Sequence, residues 1–184
     1  MPFPRNWVEE LVIEWLHLKG FLVEANLPIG AAKPGGRLEA DVVGAKIDDN
    51  DDVMQIIHLE VGQLSGGVKG AESIVKKKFS KNAQKQIEKY FRKRMSFENK
   101  SKDKINYKKI YVATYWTKPT LEILDKNSVK TNKLPDFIHD EILPTIRCYK
   151  KNPLHPSKLG GATLPESYWL LQLIDYLDVK KMLK

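Results

Sequence analysis

The sequence predicts an α/β fold: a mixed central sheet in the order α-β-β-β-α-β, followed by a helical C-terminal extension. Three observations carry this. Residues 7–18 repeat apolar side chains at helical spacing. Two apolar runs, 38–45 and 53–61, flank an acidic turn and follow a first strand at 21–27. A lysine-rich helical stretch then precedes a further strand, KIYVATYW, at 109–116. With 184 residues, 42% of them hydrophobic, the chain suits one domain over 1–150. Residues 151–184 would form a linker and a helix packed on that domain or used in a homodimer.

The elements follow in order. Pro2 and Pro4 keep the start extended, and Asn6 can cap a helix from Trp7 with Glu9 and Glu10 in its first turn. Val8, Val12, Trp15 and Leu16 form its apolar stripe, and Gly20 ends it. A strand begins at Phe21–Val23 and extends toward Leu27. Pro28–Gly36, PIGAAKPGG, reads as a flexible basic connection; functionally, Lys33 and Arg37 could meet a sugar-phosphate backbone. Alternation over Leu38–Ala45 places Glu39, Asp41 and Val43 on one face, and over Val53–Val61 it places His58 and Glu60 together with Gly62. Asp48, Asp49, Asp51 and Asp52 are expected to be solvated turn residues, because the glycine and final glutamate of a calcium loop are missing.

GQLSGGVKG reads as a glycine-rich turn. Residues 71–95 are rich in helix formers, with Ser80 a cap for a regular part near Asn82. Residues 96–107 read as a loop. A short helix over 117–125 has Pro119 near its first turn, and another over 134–146 is bent or interrupted by Pro144. Residues 150–163 read as a linker, and Pro165 opens a C-terminal helix with an apolar face at Trp169, Leu170, Leu173, Ile174 and Leu177. Cys148 excludes an internal disulfide and a cysteine-based zinc cluster, and beside Ile146 it reads as a packed thiol.

Thirty-one basic against 23 acidic residues give a formal charge of +8, which favours a polyanionic partner, most simply DNA or RNA. Solubility alone is the competing explanation. No stretch approaches the roughly 20 apolar residues of a membrane span, and the opening residues lack a signal-peptide core, so a soluble cytoplasmic protein is expected.

Asp41 and Glu60 carry the chemistry. Two carboxylates on neighbouring strands repel unless a cation, a proton or a basic side chain compensates. Magnesium does so with hard oxygen ligands and suits phosphodiester hydrolysis. Pairing with some of the many lysines, or exposure at strand ends, is the plainer alternative.

The order Glu9, Gly20-Phe21, Ala40-Asp41 and Glu60-Val61-Gly62 resembles the core of the PD-(D/E)xK nuclease superfamily. Over residues 5–115 it is especially similar to archaeal Holliday-junction resolvases. The resemblance implies a restriction-endonuclease-like fold and a Mg²⁺-dependent DNA endonuclease, with Mn²⁺ an alternative metal. Asp41 and Glu60 would be the metal ligands, the Val61 carbonyl an additional one, and Glu9 the helix acid, with Glu10 its fallback. Ala40 stands where the family has proline, a change of backbone shape. Gly62 stands where the family has lysine, a change of chemistry, since that amine holds the attacking water and stabilises transition-state charge. Gln63, Lys69, Lys85 and Gln86 are candidates for the missing role. Gln86 and Tyr90 resemble the QxxxY element of exonuclease-like members, which helps to position DNA or the active-site groups. His58 reads as a structural histidine paired locally, with a phosphate contact or proton shuttle the functional alternative.

Lys81, Lys85, Lys89 and Lys93 recur every fourth residue and predict an exposed positive ridge able to follow a nucleic-acid backbone, or simply a solvated face. The leading expectation is therefore a metal-dependent deoxyribonuclease. A noncatalytic nucleic-acid-binding protein with a degenerate nuclease core, or a structural interaction protein using its C-terminal helix, are the alternatives.

Overall fold

A helix start leaves backbone N–H groups without partners, and an asparagine side chain can supply them. In the computed structural model, which describes residues 6–33, 36–48, 53–96, 104–151 and 163–183, Asn6 Oδ1 accepts from Val8 and Glu9 N–H at 2.9 and 3.0 Å. Helix α1 spans Trp7–Leu18. Its end is a Schellman turn: Gly20, at φ 78°, donates to the His17 carbonyl, and Phe21 donates to that of Leu16.

Five strands form one mixed sheet in the order β1-β2-β3-β4-β5. They are β1 Leu22–Lys33, β2 Gly36–Asp48, β3 Val53–Gln63, β4 Lys104–Tyr115 and β5 Lys130–Lys133. The first three run antiparallel, and β3–β4 and β4–β5 are parallel. Between β3 and β4 lie α2 (Gly67–Lys77) and α3 (Lys81–Arg94), with Ser80 Oγ accepting from Ala83 N–H at 3.1 Å to start the second. Helix α4 (Lys118–Lys126) leads to β5. Then α5 (Leu134–Phe137), a π-helical turn Ile138–Ile142 and α6 (Leu143–Lys151) run on, and α7 spans Trp169–Val179.

The sheet is covered on both sides. On one, Leu11, Val12, Trp15 and Leu16 of α1 pack with Val42, Ile57, Leu59 and Val112, and with residues of α5 through α7. On the other, Ala83, Ile87 and Phe91 of α3 pack on Val43, Ala45, Met54 and Ile56. Beside them, Phe79, Tyr111, Leu124 and Val129 form a third cluster. Strand parity thus sends Asp41 and Glu60 toward the α2–α3 side.

The structure departs from the sequence reading in several places. Pro28–Lys33 is strand, not loop: β1 and β2 pair as far as Lys33 and Gly36, with an irregularity between Pro28 and Ala32. β1 is an edge strand, where a proline without an N–H is tolerated. Gly67 and Gly70 belong to α2 rather than to a turn, β4 begins earlier than expected, and β5 was not anticipated. Cys148 is exposed, because α6 turns Ile146 rather than Cys148 inward. The expected helix over 134–146 instead contains the π turn and extends through α6 to Lys151. The π turn lies just ahead of Pro144, whose missing N–H cannot bond the Asp140 carbonyl, and Leu143 N–H reaches back to Ile138 instead. Asp49, Asp51 and Asp52, most of the expected linker and the side chains of Lys33 and Asp48 lie outside the described residues.

Candidate active site

Asp41 on β2 and Glu60 on β3 meet, as their strand phase requires. Asp41 N–H approaches Glu60 Oε1 at 3.4 Å, and Val61 N–H donates to Asp41 Oδ2 at 3.0 Å. Between the two carboxylates sits the ammonium of Lys78, immediately after α2. Its Nζ is 3.0 Å from Asp41 Oδ1 and 2.7 Å from Glu60 Oε2, and it also donates to the Glu39 carbonyl. An ammonium has three donors, and all three are used here. Lys78 is held in place by its neighbour: Phe79 is buried and packs against His58, ring centroids 4.8 Å apart and planes tilted by 48°, and the Phe79 carbonyl accepts from Lys109 Nζ at 3.1 Å.

His58 supports the pair from beneath. It is fully buried, with Nε2 2.8 Å from Glu60 Oε1 and Nδ1 3.0 Å from the Tyr107 hydroxyl. Burial, reinforced by the nearby Lys78 charge, pushes the imidazole down to about 3, so it is neutral at pH 7. Burial raises the Tyr107 hydroxyl's pKa, which leaves it a donor. The consistent tautomer therefore has Tyr107 O–H donating to Nδ1 and Nε2–H donating to Glu60. A neutral imidazole between a phenol and a carboxylate fixes the carboxylate's orientation, as outer hydrogen-bond partners do at metal sites.

The electrostatics follow from crowding. Burial raises the pKa of both carboxyls, and the Glu60 charge adds to the effect at Asp41, while Lys78 opposes it at each. Burial by itself would lower the Lys78 ammonium's pKa, but the two carboxylates and their hydrogen bonds together outweigh it, and the net shift is upward. Lys78 is thus a cation held by two acids. Two carboxylates and one ammonium leave a residual negative charge that favours a further cation.

Asp41 Oδ1, Glu60 Oε2 and the Glu39 carbonyl oxygen converge on one positive centre. These are hard oxygen donors, and the set fits magnesium or manganese in type. Side chains alone fall short of a cluster: among the described residues no group of three or more ligating side chains forms. Glu9 is buried on α1, where its Oε1 accepts from Asn6 Nδ2 at 2.8 Å. Asn6 lines a cleft of about 450 Å³ together with Val61, Gly62, Gln63 and Thr114, so the start of α1 meets the end of β3, but Asp41 and Glu60 are not among the cleft's lining residues. Glu10 instead accepts from Trp169 Nε1 at 2.9 Å.

Of the side chains expected to replace the missing lysine, Gln63, Lys69, Lys85 and Gln86 are all exposed, and the basic side chain bonded to the pair is Lys78. Tyr90 donates to Glu24 Oε1 at 2.7 Å and so serves β1 rather than the acids. Lys81, Lys85, Lys89 and Lys93 are exposed along α3 as their spacing predicts. Arg37 is exposed, and its Nε donates to the Gly30 carbonyl at 2.9 Å across the β1–β2 hairpin. At Gly62, an added Cβ would lie 3.3 Å from the Tyr111 hydroxyl, so this oxygen borders the space where a lysine stem would start.

No family model matches the chain, and no curated protein matches it. Among solved structures, the crystal structure of a protein of unknown function, AF1548, is similar at 13% identity and a TM-score of 0.39, over 83% of this chain and 72% of that one. No helix among the described residues is long and apolar enough to cross a membrane.

Proposed function

We propose that this chain is a metal-dependent DNA phosphodiester hydrolase with a restriction-endonuclease-like core, in which Lys78 takes the role vacated at Gly62. The observation that carries this reading is Lys78 Nζ lying within 3.0 Å of both Asp41 and Glu60. Two acids and an amine are the complement that phosphodiester hydrolysis needs, and a helix end supplies the amine that the strand lacks.

Asp41 and Glu60 would hold the magnesium ion, with manganese an alternative and the Val61 carbonyl a further donor. The metal supplies Lewis-acid charge to the phosphoryl oxygens and lowers the pKa of a bound water. Lys78, released from one carboxylate, would orient the attacking water or neutralise charge on the phosphate. His58 holds Glu60 in orientation. The α3 lysines would bind the DNA backbone without reading sequence.

Metal-dependent cleavage of single-stranded, linear duplex and four-way-junction DNA tests this. Wild type should cut at least one form, and D41A and E60A should each nearly abolish cutting while the fold survives. Wild-type rates in both variants would remove the two acids from the mechanism.

One observation favours a second reading, a noncatalytic nucleic-acid-binding protein. Asp41 and Glu60 already receive bonds from Lys78, Val61, His58 and the Asp41 backbone, so the ion pair is closed without metal. Salt-sensitive DNA binding without cleavage of any form would select it.

A further inference from the structure

The side of the sheet facing away from Asp41 and Glu60 carries a different set of lysines. Helix α1 stops at Leu18, and the strands continue past it. In the space beyond its end lies a cavity of about 390 Å³ with Trp15, Ile57 and Ile110 among its apolar walls and Lys19, Lys108 and Lys130 among its polar ones. Strand register explains the convergence. Lys108 pairs with Ile57 across β3–β4, and Lys130 pairs with Ile110 across β4–β5, so the two lysines stand on adjacent strands two residues apart. Lys19 caps α1 above them, with Nζ 4.5 Å from the Trp15 ring centroid. Lys46, on β2, lies over Phe21 at 4.9 Å and contributes its charge from the side.

We propose that this cavity binds a phosphate group, either free phosphate or the terminal phosphate of a nucleic-acid strand. The chemistry is that of like charge in excess: Lys19, Lys108, Lys109 and Lys130 line the cavity against one carboxylate, Glu141. Glu141 accepts from Lys130 at 2.7 Å and is the acid that supports Lys19, against the repulsion of Lys46, Lys108 and Lys130. Burial first, and then that repulsion, depresses the Lys19 ammonium's pKa. A phosphate dianion placed among them would relieve the repulsion and accept several N–H bonds, which lysine supplies as point charges. The volume lies within the range of small-ligand sites, and the apolar walls give it a concave shape that a flat lysine surface lacks. The cavity is on the opposite face from the α3 ridge, which packs through Ala83, Ile87 and Phe91. It therefore does not depend on the nuclease reading.

The test is a titration followed by ¹⁵N–¹H correlation spectra of the full chain without added metal. The reporters are the Trp15 indole N–H, which donates to Thr145 Oγ1 at 3.1 Å, and the backbone amides of Lys19 and Gly20. The probes are inorganic phosphate and a short single-stranded oligodeoxynucleotide with and without a 5′-phosphate. Saturable shifts at these reporters are expected, weaker by about tenfold in affinity in K108M and more so in K19M/K108M, as loss of a charged hydrogen bond implies. They should be unaltered in K180Q, at the exposed end of α7. Shifts with inorganic phosphate alone assign a free anion. Shifts that require the 5′-phosphate of the strand assign a nucleic-acid end. No saturable shift with any probe, or equal affinity in K108M and wild type, overturns the proposal. DNA cleavage lost in D41A with these shifts intact would separate this site from the acids.

Discussion

Replacing Lys78 with methionine separates two roles that a single cation can have. The side chain keeps much of its length and loses its charge and three donors. Removing one partner from a buried ion pair costs about 3–5 kcal/mol, because the other partner is left uncompensated. The lower end applies here, since the Lys78 side chain retains 23% of its exposure and the carboxyls can take up a proton. The sign of the pH dependence follows. Asp41 and Glu60 have raised folded-state pKa values in the presence of Lys78, and its removal raises them further. Such groups bind protons more tightly when folded, so K78M should be closest to wild type at pH 4–5 and lose stability as pH rises toward neutrality. With the two acids ionised, wild type gains from Lys78 below that ammonium's ordinary value of 10.5 and loses the gain as pH rises through the raised folded value. Metal should act in the opposite sense to catalysis. With the ammonium gone, Asp41 and Glu60 should bind Mn²⁺ more tightly, and a tenfold gain would add about 1.4 kcal/mol of stabilisation at saturating metal. Cleavage should nonetheless fall about 10²–10³-fold, the scale of one lost transition-state donor. Thermal unfolding with and without Mn²⁺ at several pH values, together with the cleavage assay, measures all three effects. K78M that cleaves at the wild-type rate, or whose stability has the wild-type pH profile, refutes the reasoning.

Further outcomes are equally specific. Folding depresses the pKa of His58 from 6.5 to about 3, so its contribution to stability is present above pH 6.5 and is lost as pH falls. Asp41 and Glu60 act in the opposite direction, so the readout is the difference: H58Q should show a flatter acid loss than wild type between pH 6.5 and 4 in urea denaturation. Y107F removes one neutral bond to His58 and should cost about 1 kcal/mol by the same assay. Changing Lys81, Lys89 and Lys93 together to glutamine should lower the slope of log Kd against log salt for duplex DNA by up to about 3, and an unchanged slope would make the ridge a solvated face. G62K places a Cβ 3.3 Å from the Tyr111 hydroxyl, so it should lower thermal stability in wild type and be better tolerated beside Y111F.

Asp41 and Glu60 were legible because parity along a strand is rigid: a side chain two residues from another shares its face whatever else the chain does. Lys78 was not legible. It is the last of three consecutive lysines, Lys76, Lys77 and Lys78, and composition cannot choose among them. The available signal was Phe79, a large apolar residue among lysines just before the Ser80 cap. That is where the chain turns inward between two helices and carries Lys78 toward the sheet. β5 was invisible because Lys130–Lys133 reads KTNK and owes its strand geometry to pairing with β4. The outer part of β1 was hidden by Pro28 and Gly30, which mark loops unless an edge strand accommodates them. The π turn escaped because Pro144 acts on the carbonyl four residues earlier, not on its own position.

The carboxylate of Glu14, on α1, accepts from the backbone N–H groups of Leu170 and Leu171 at 3.3 and 2.9 Å, at the first turn of α7. The first described helix therefore supplies the terminating acceptor for the last one, and both contribute to a single apolar cluster with Val42, Leu59 and Val112. This has a consequence for biosynthesis. During translation, α1 emerges with Leu11, Trp15 and Leu16 ready for burial, and β1 to β4 can assemble behind it. The patch meant for Leu171 and Ile174 stays open until residues beyond 169 have left the ribosome. Contacts between such distant segments are slow to close, and the uncovered surface is a target for chaperones or for self-association in the interval. Emergence of α7, rather than synthesis of the sheet, is the moment at which this side of the protein becomes sealed.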